Sequence, residues 1–505
     1  MNAEYPRFLL LAREIRDLGA AGALLAWDQE VLLPPKGLAA RARHRAALAG
    51  VVHEKMCAPG YGELVDGLAA DGGLEDRADA AAAAAVREAK RDRDRAVKIP
   101  HALVTELAEA TSLSQQAWQE ARARDDWPAF APHLARLVAL KRREAAAVGH
   151  EGEPYNALLD EFEPGARVET LAPLLSGLAA EIVPLIAAIG EARARTGDDP
   201  GALLRGDFDV VRQEKFSREV LAGMGFDMAA GRLDVSAHPF TSGTGPGDVR
   251  LTTRYDPCDL RVGLYATIHE GGHGLYEQGL PVEFEGTPLG DCASLGIHES
   301  QSRLWENFVG RSRAFWEHWA PRARELFPER LGRAAPEALH RAVNEVRPSL
   351  IRIEADEVTY NLHIALRLEL ERALLAGEIE TADLPALWNA RLRSTLGLTP
   401  ATNREGVLQD IHWACGLFGY FPTYTLGNLY AAQLREAAAT ALGDLDALIA
   451  RGDTAPLLAW LRAHVPARGR LLRAGALCRE VTGRDLETAP FVRYLQGKFG
   501  ALYGV

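Results

Sequence analysis

At 505 residues the chain exceeds what one hydrophobic core ordinarily supports, so two packed lobes are expected, and an apolar content of 48% is ample to fill them. A formal net charge of -12 argues against nucleic acid as a partner. The run Phe8-Leu-Leu-Leu-Ala12 is broken at once by Arg13 and Glu14, so no signal peptide is expected, and no apolar stretch approaches the roughly 20 residues of a membrane span.

Segments 4–28, 36–57, 75–98, 101–124, 128–148, 168–196 and 209–223 read as helices, being amphipathic or alanine-rich with caps or breakers between them. Arg87 to Lys98 alternates charge sign along one of these, as a solvated face with intrahelical pairs does. Cys57, Cys258, Cys292, Cys415 and Cys478 are odd in number and form no C-x-x-C pair, which fits reduced thiols in a cytoplasmic protein. Cys258 and Cys292 read as small buried fillers.

The pattern changes at about 231–256. Gly231 to Ser236 and Val249 to Tyr255 alternate apolar and polar residues around Ser242-Gly-Thr-Gly-Pro-Gly247, so two short strands joined by a glycine-rich loop are expected. A strand edge there offers backbone pairing to an extended peptide. Asp259 then stands as an N-cap for a helix with Leu260, Leu264, Ile268 and Leu275 on one stripe, stopped by Gly279 and Pro281.

That helix carries His269-Glu-Gly-Gly-His273. Positions i and i+4 share a face, so both imidazoles reach one metal ion, while Glu270, about 100° round, stands beside it as a base and not a ligand. This is the H-E-x-x-H pattern of zinc-dependent peptide hydrolysis. Gly271 and Gly272 each cost about 1 kcal/mol in a helix. They imply close approach by a neighbouring backbone or by a substrate chain. A catalytic zinc needs three protein ligands and one open position. Glu299, on a second helix beyond a loop of about 15 residues, supplies the third. The metal-binding helices thus span about 259–310. Asp256, Asp291 and Glu306 are candidate carboxylate partners for the metal histidines.

Helices resume from 294, interrupted at Pro321, Phe327-Pro328, Pro348 and Thr399-Pro400. The fold class is therefore mainly α, a large helical bundle-like architecture with a small β-sheet beside the metal-motif helix. Arg352 carries a bidentate fork suited to a carboxylate, against a bland pairing with Glu354 or Asp356. Arg250 is the weaker candidate, because Asp248 is placed to pair with it. His238, Tyr420 and Tyr424 are candidate donors to a developing oxyanion, and Gln409 and His412 line the site or support other side chains.

Beyond the metal motif, the chain carries His238-Pro-Phe240, Asp248-Val-Arg-Leu-Thr252, His298-Glu-Ser-Gln301, Ile351-Arg-Ile-Glu-Ala-Asp356 and Gly406-Val-Leu-Gln-Asp-Ile-His-Trp413, in that order. Leu25-Ala-Trp-Asp-Gln-Glu30 precedes them. In these motifs the chain resembles the thermostable-carboxypeptidase (M32) family of metallocarboxypeptidases. The resemblance covers most of the chain and implies one unit over 1–505, with two helical lobes around a deep groove, usually as a homodimer. It implies one divalent ion, zinc first with cobalt or manganese as alternatives, and the carboxylate role for Arg352.

The expected activity is removal of single residues from peptides with a free C-terminus. Its rivals are an oligopeptidase cutting internal bonds and a peptide-binding protein with a structural metal.

Overall fold

Helix-forming runs of alanine, leucine and charged residues dominate the computed structural model, which describes residues 4–70 and 80–505. Among the described residues there are 21 α-helices and one three-stranded sheet. Boundaries follow the caps. Asp126 accepts from the Ala129 amide at 3.1 Å to start Trp127–Val148, and Asp209 accepts from Arg212 to start Val210–Met224. The helix expected over 75–98 is described from Ala80 to Lys98, and its first positions lie outside the described residues. Two short helices, Pro59–Ala70 and Tyr155–Phe162, were not expected.

Helix Val168–Thr196 corrects the reading of apolar stretches. By length and composition it could cross a membrane, despite Glu181 and Pro184 in its middle. Leu171, Leu175, Leu178 and Ile182 are buried in the main core, while Val183 on the other side is exposed.

The sheet is also larger than expected. β1 (Gly231–Val235) pairs in parallel with β3 (Asp248–Thr253), and β2 (Thr241–Gly245) pairs antiparallel with β3, giving the order β1-β3-β2. β2 falls on the segment read as a glycine-rich loop. Its glycines bear no side chains to show a period of two, yet the backbone of Gly243 pairs with Val249 and that of Gly245 with Asp248.

The buried side chains gather into a large cluster from Ala121 to Phe499, a smaller N-terminal one built on Phe8, Ile15, Tyr61, Val65 and Val86, and a third of Leu103, Ala110, Leu137 and Leu140. β3 lies against the helix Leu260–Glu277, to which Thr253 and Thr267 bind it through paired hydroxyls 3.2 Å apart.

Candidate metal centre

Asp259 caps Leu260–Glu277 by accepting from the Arg261 amide at 2.9 Å, and this helix presents His269 and His273 one turn apart. Ser294 caps the next helix, Leu295–Arg303, which carries Glu299 inward. Glu299 Oε2 lies 3.7 Å from His269 Nε2 and 3.3 Å from His273 Nε2. Among the described residues these three form the one His/Cys/Asp/Glu group whose ligand atoms all lie within 4.8 Å of one another. Tetrahedral ligands about 2.0–2.1 Å from one ion stand about 3.3–3.4 Å apart, so the donor set and its spacing fit a divalent metal with a fourth position open.

The two glycines now have separate reasons. A Cβ on Gly272 would stand 2.6 Å from the Gln301 carbonyl and from Ser302 Cα, so this glycine lets the helix Leu295–Arg303 come against the metal-motif helix. One on Gly271 would meet Leu221 at 2.8 Å and Met224 at 3.1 Å. Neighbouring protein therefore requires both glycines. Gly427, on helix Pro422–Leu442, does the same from the far side, since a Cβ there would stand 2.7 Å from Glu299 Cβ. Glu299 is held between two glycine-bearing helices.

Around the ligands lies a chain of opposite charges. His269 Nδ1 meets Glu306 Oε2 at 2.8 Å, Arg303 Nε donates to Glu299 Oε1 at 2.6 Å, and Arg311 donates to Glu306 Oε1 at 3.0 Å. Of the three carboxylates considered, Glu306 is thus the partner of a metal-site histidine. Asp256 accepts from the Cys258 amide and Asp291 pairs with Arg16. Cys258 is exposed and fills no core. Burial opposes ionisation of Glu299 and Glu306, but Arg303 and His269 beside the first, and His269 and Arg311 beside the second, outweigh it and hold both carboxyls well below the usual range. Burial, reinforced by the charge on His298, pushes His273 down to about 3, so its imidazole is neutral and fit to ligate.

Glu270 is 7% exposed beside these groups, and Thr241 Oγ1 lies 2.7 Å from its Oε2. Burial raises its pKa, with His269 and Thr241 opposing. Tyr420 and Tyr424 lie with rings 5.4 Å apart, and the charges of both Glu299 and Arg352 act on each phenol. The Arg352 guanidinium lies over the Tyr424 ring, 5.0 Å from its centroid. His238 is exposed, and its carbonyl accepts from Ser236 Oγ at 2.6 Å.

Arg352 is 5% exposed, and its partner is neither Glu354 nor Asp356. Asp356 instead accepts from Val358, Thr359 and Arg347. Arg352 donates to Asp410 Oδ1 from Nε at 3.0 Å and from Nη2 at 2.8 Å, and to Tyr360 Oη at 3.0 Å. Arg367, fully buried, takes the other oxygen of Asp410 at 2.7 Å. Gln409 Oε1 accepts from the Arg352 amide and from Arg367, and its Nε2 donates to Leu350, Glu405 and Gly406 carbonyls. Its amide is spent on holding the arginines. Burial, with the positive charge of Arg352 next, lowers His412 to about 3, and its Nε2 meets Tyr424 Oη at 3.1 Å. With His412 neutral, two guanidiniums share one carboxylate, and the cluster carries one positive charge in excess. Arg250 pairs with Asp248 on its own strand and stacks over Trp27 at 4.4 Å.

Asp410, Arg367, Tyr360 and Thr241 were not singled out in the sequence. Asp410 was legible in principle, as a lone acidic residue between Gln409 and His412. The others carry no local pattern.

Comparison with known proteins gives a consistent result. The family model described as carboxypeptidase Taq (M32) metallopeptidase matches residues 7–499. Thermostable carboxypeptidase 1 of Thermus thermophilus is 48% identical over 513 residues, covering 100% of this chain and 99% of the relative. Carboxypeptidase 1 of Bacillus subtilis is 38% identical, covering 98% of each. The crystal structure of an M32 carboxypeptidase from Deinococcus radiodurans superposes with a TM-score of 0.95 at 39% identity, covering 100% of both chains.

Proposed function

This chain belongs to the carboxypeptidase Taq (M32) family of metallopeptidases, and we propose that His269, His273 and Glu299 hold its metal ion, zinc in the first instance, with Glu270 as the proton carrier and Arg352 as the receptor for the substrate's C-terminal carboxylate. The enzyme is a metallocarboxypeptidase, a hydrolase of peptides that requires a divalent ion. When bound, the ion supplies Lewis acidity at the scissile carbonyl and brings the pKa of a ligated water towards about 7.

The protein's own residues account for the rest. Glu270 Oε1 receives the proton of the attacking water and returns it to the leaving amine. Arg303 occupies Glu299 Oε1, which leaves Oε2 turned towards the two imidazoles. Tyr420 and Tyr424 offer hydroxyls to the developing oxyanion. His238 is a further candidate for substrate contact from its exposed loop. Five unpaired cysteines support the cytoplasmic setting, and the homodimer carried over from the family is tested by light scattering.

The observation that carries removal of the last residue is the uncompensated charge of the Arg352–Asp410–Arg367 cluster. Excess buried positive charge is costly, and a peptide's terminal carboxylate balances it. Arg352→Ala should lower kcat/KM on peptides with a free C-terminus by about 100- to 1000-fold, the worth of a charge-assisted fork. The poor hydrolysis of amidated peptides should change little. Equal losses on both substrates, or internal fragments from wild-type enzyme, would overturn the reading.

A further inference from the structure

We propose that the hydroxyl of Thr241 is the positioning group for the Glu270 carboxylate, a role that rests on the reading of Glu270 as proton carrier. Thr241 opens β2, and the backbone before it is fixed from both sides. The Phe240 amide donates to Thr252 Oγ1 at 2.9 Å, and the Thr252 amide donates to the Phe240 carbonyl at 2.9 Å. β3 is in turn tied to the metal-motif helix, where Thr253 Oγ1 donates to the Gly263 carbonyl at 3.2 Å. The hydroxyl is therefore held at a set height over the helix that carries Glu270.

From there Oγ1 meets two acceptors of one residue, Glu270 Oε2 at 2.7 Å and the Glu270 carbonyl at 3.1 Å. A hydroxyl has one hydrogen and gives it to one acceptor at a time. The shorter contact and the charge favour the carboxylate. Among the described residues Thr241 is the one hydrogen-bond donor to that carboxylate. The terminal torsion of glutamate is broad, so without this bond the two oxygens exchange places freely. With it, Oε2 is occupied and Oε1 is the oxygen left for the proton. When Oε1 takes the proton, Oε2 remains an acceptor for the hydroxyl, and the Glu270 carbonyl at 3.1 Å is a second one, so the donor is not stranded during turnover.

A residue that merely packed in the strand would need the methyl and the branching, not the hydroxyl. Thr241→Val keeps both, and Thr241→Ser keeps the hydroxyl alone. We expect Thr241→Val to lower kcat by about 10- to 100-fold, the scale of a lost hydrogen bond to a charged group. KM should stay within about threefold and bound metal at wild-type stoichiometry. Thr241→Ser should return kcat to within about threefold of wild type. Wild-type kcat in Thr241→Val, a loss that serine does not restore, or a loss accompanied by missing metal would each overturn the proposal. Glu270→Gln, assayed alongside, separates the two ideas. If it stays active with full metal, the role of Glu270 falls and this proposal with it. If it is inactive while Thr241→Val is fully active, only the role of Thr241 falls.

Discussion

The two imidazoles of the centre are held unequally. His269 has Glu306 on Nδ1, and Glu306 is itself fixed by Arg311 and Arg303. The Nδ1 of His273 is buried and has no hydrogen-bond partner among the described residues, although the ring is stacked on His298 at 4.4 Å. A carboxylate on the far nitrogen fixes the tautomer, leaves Nε2 free to ligate and raises its basicity. Glu306→Gln keeps the shape but removes that charge, and should weaken metal binding by about 10- to 100-fold in competition with a chelator. Unchanged affinity would mean that ring packing alone orients His269. At this scale the sequence was legible where chemistry has a fixed spacing. The meeting of His269, His273 and Glu299, with Glu270 beside them, could be expected because helical period and a ligand count restrict them. Arg352 could be named from its chemistry, but its partner could not, because Asp410 lies 58 residues away and only folding brings it near.

Helix Leu295–Arg303 is the element on which the centre depends, since it carries Glu299 between the metal-motif helix and Pro422–Leu442. It continues into a π-helical stretch, Leu304–Gly310, whose wider turns bear Glu306 and end with the Arg311 amide bonded to the Glu306 carbonyl at 3.0 Å. Gly427→Ala would push a methyl into Glu299 and should cost about 1–3 kcal/mol, as overpacking does, together with a loss of metal affinity. Gly190→Ala is the control. It sits in helix Val168–Thr196 with nothing within 4 Å of the added carbon, and should raise stability by about 0.4–1 kcal/mol with metal binding unchanged. Thermal unfolding with a parallel metal titration distinguishes the two substitutions, and equal behaviour would remove the argument from close approach. Helices such as His101–Arg124 and Val168–Thr196 were legible to the residue, because breakers and amphipathic spacing are local. β2 and the π-helical stretch were not, because backbone pairing and register with neighbours create them, and glycine or an ordinary helical pattern conceals them.

Across the whole molecule, buried carboxyls fasten distant segments to the site. Glu163 accepts from the Gly296 amide at 3.0 Å, at the start of the Glu299 helix, and from Tyr430 on Pro422–Leu442 at 3.4 Å. Glu371 accepts from Tyr155, from Trp413 in the motif that holds Asp410, and from the Gly419 amide. Burial pushes each up to about 7, from an ordinary 4.5. Their folded-state pKa values are raised, so the stability they contribute is fully present below about pH 4.5 and is lost as pH rises through 7. At 1.36 kcal/mol per unit, each shift corresponds to roughly 3 kcal/mol across that window. Glu163→Gln keeps an acceptor for Gly296 and has no proton to lose. The stability of the variant minus that of wild type, measured by denaturant unfolding at fixed metal concentration from pH 4.5 to 8, should therefore rise with pH and level off above about 7. Taking the difference at each pH removes the opposite trend expected from the histidines proposed to hold the metal, since imidazole ligates only when deprotonated. A flat difference would mean that Glu163 ionises as readily in the folded protein as in water, and that the cap on the Glu299 helix is a charged one.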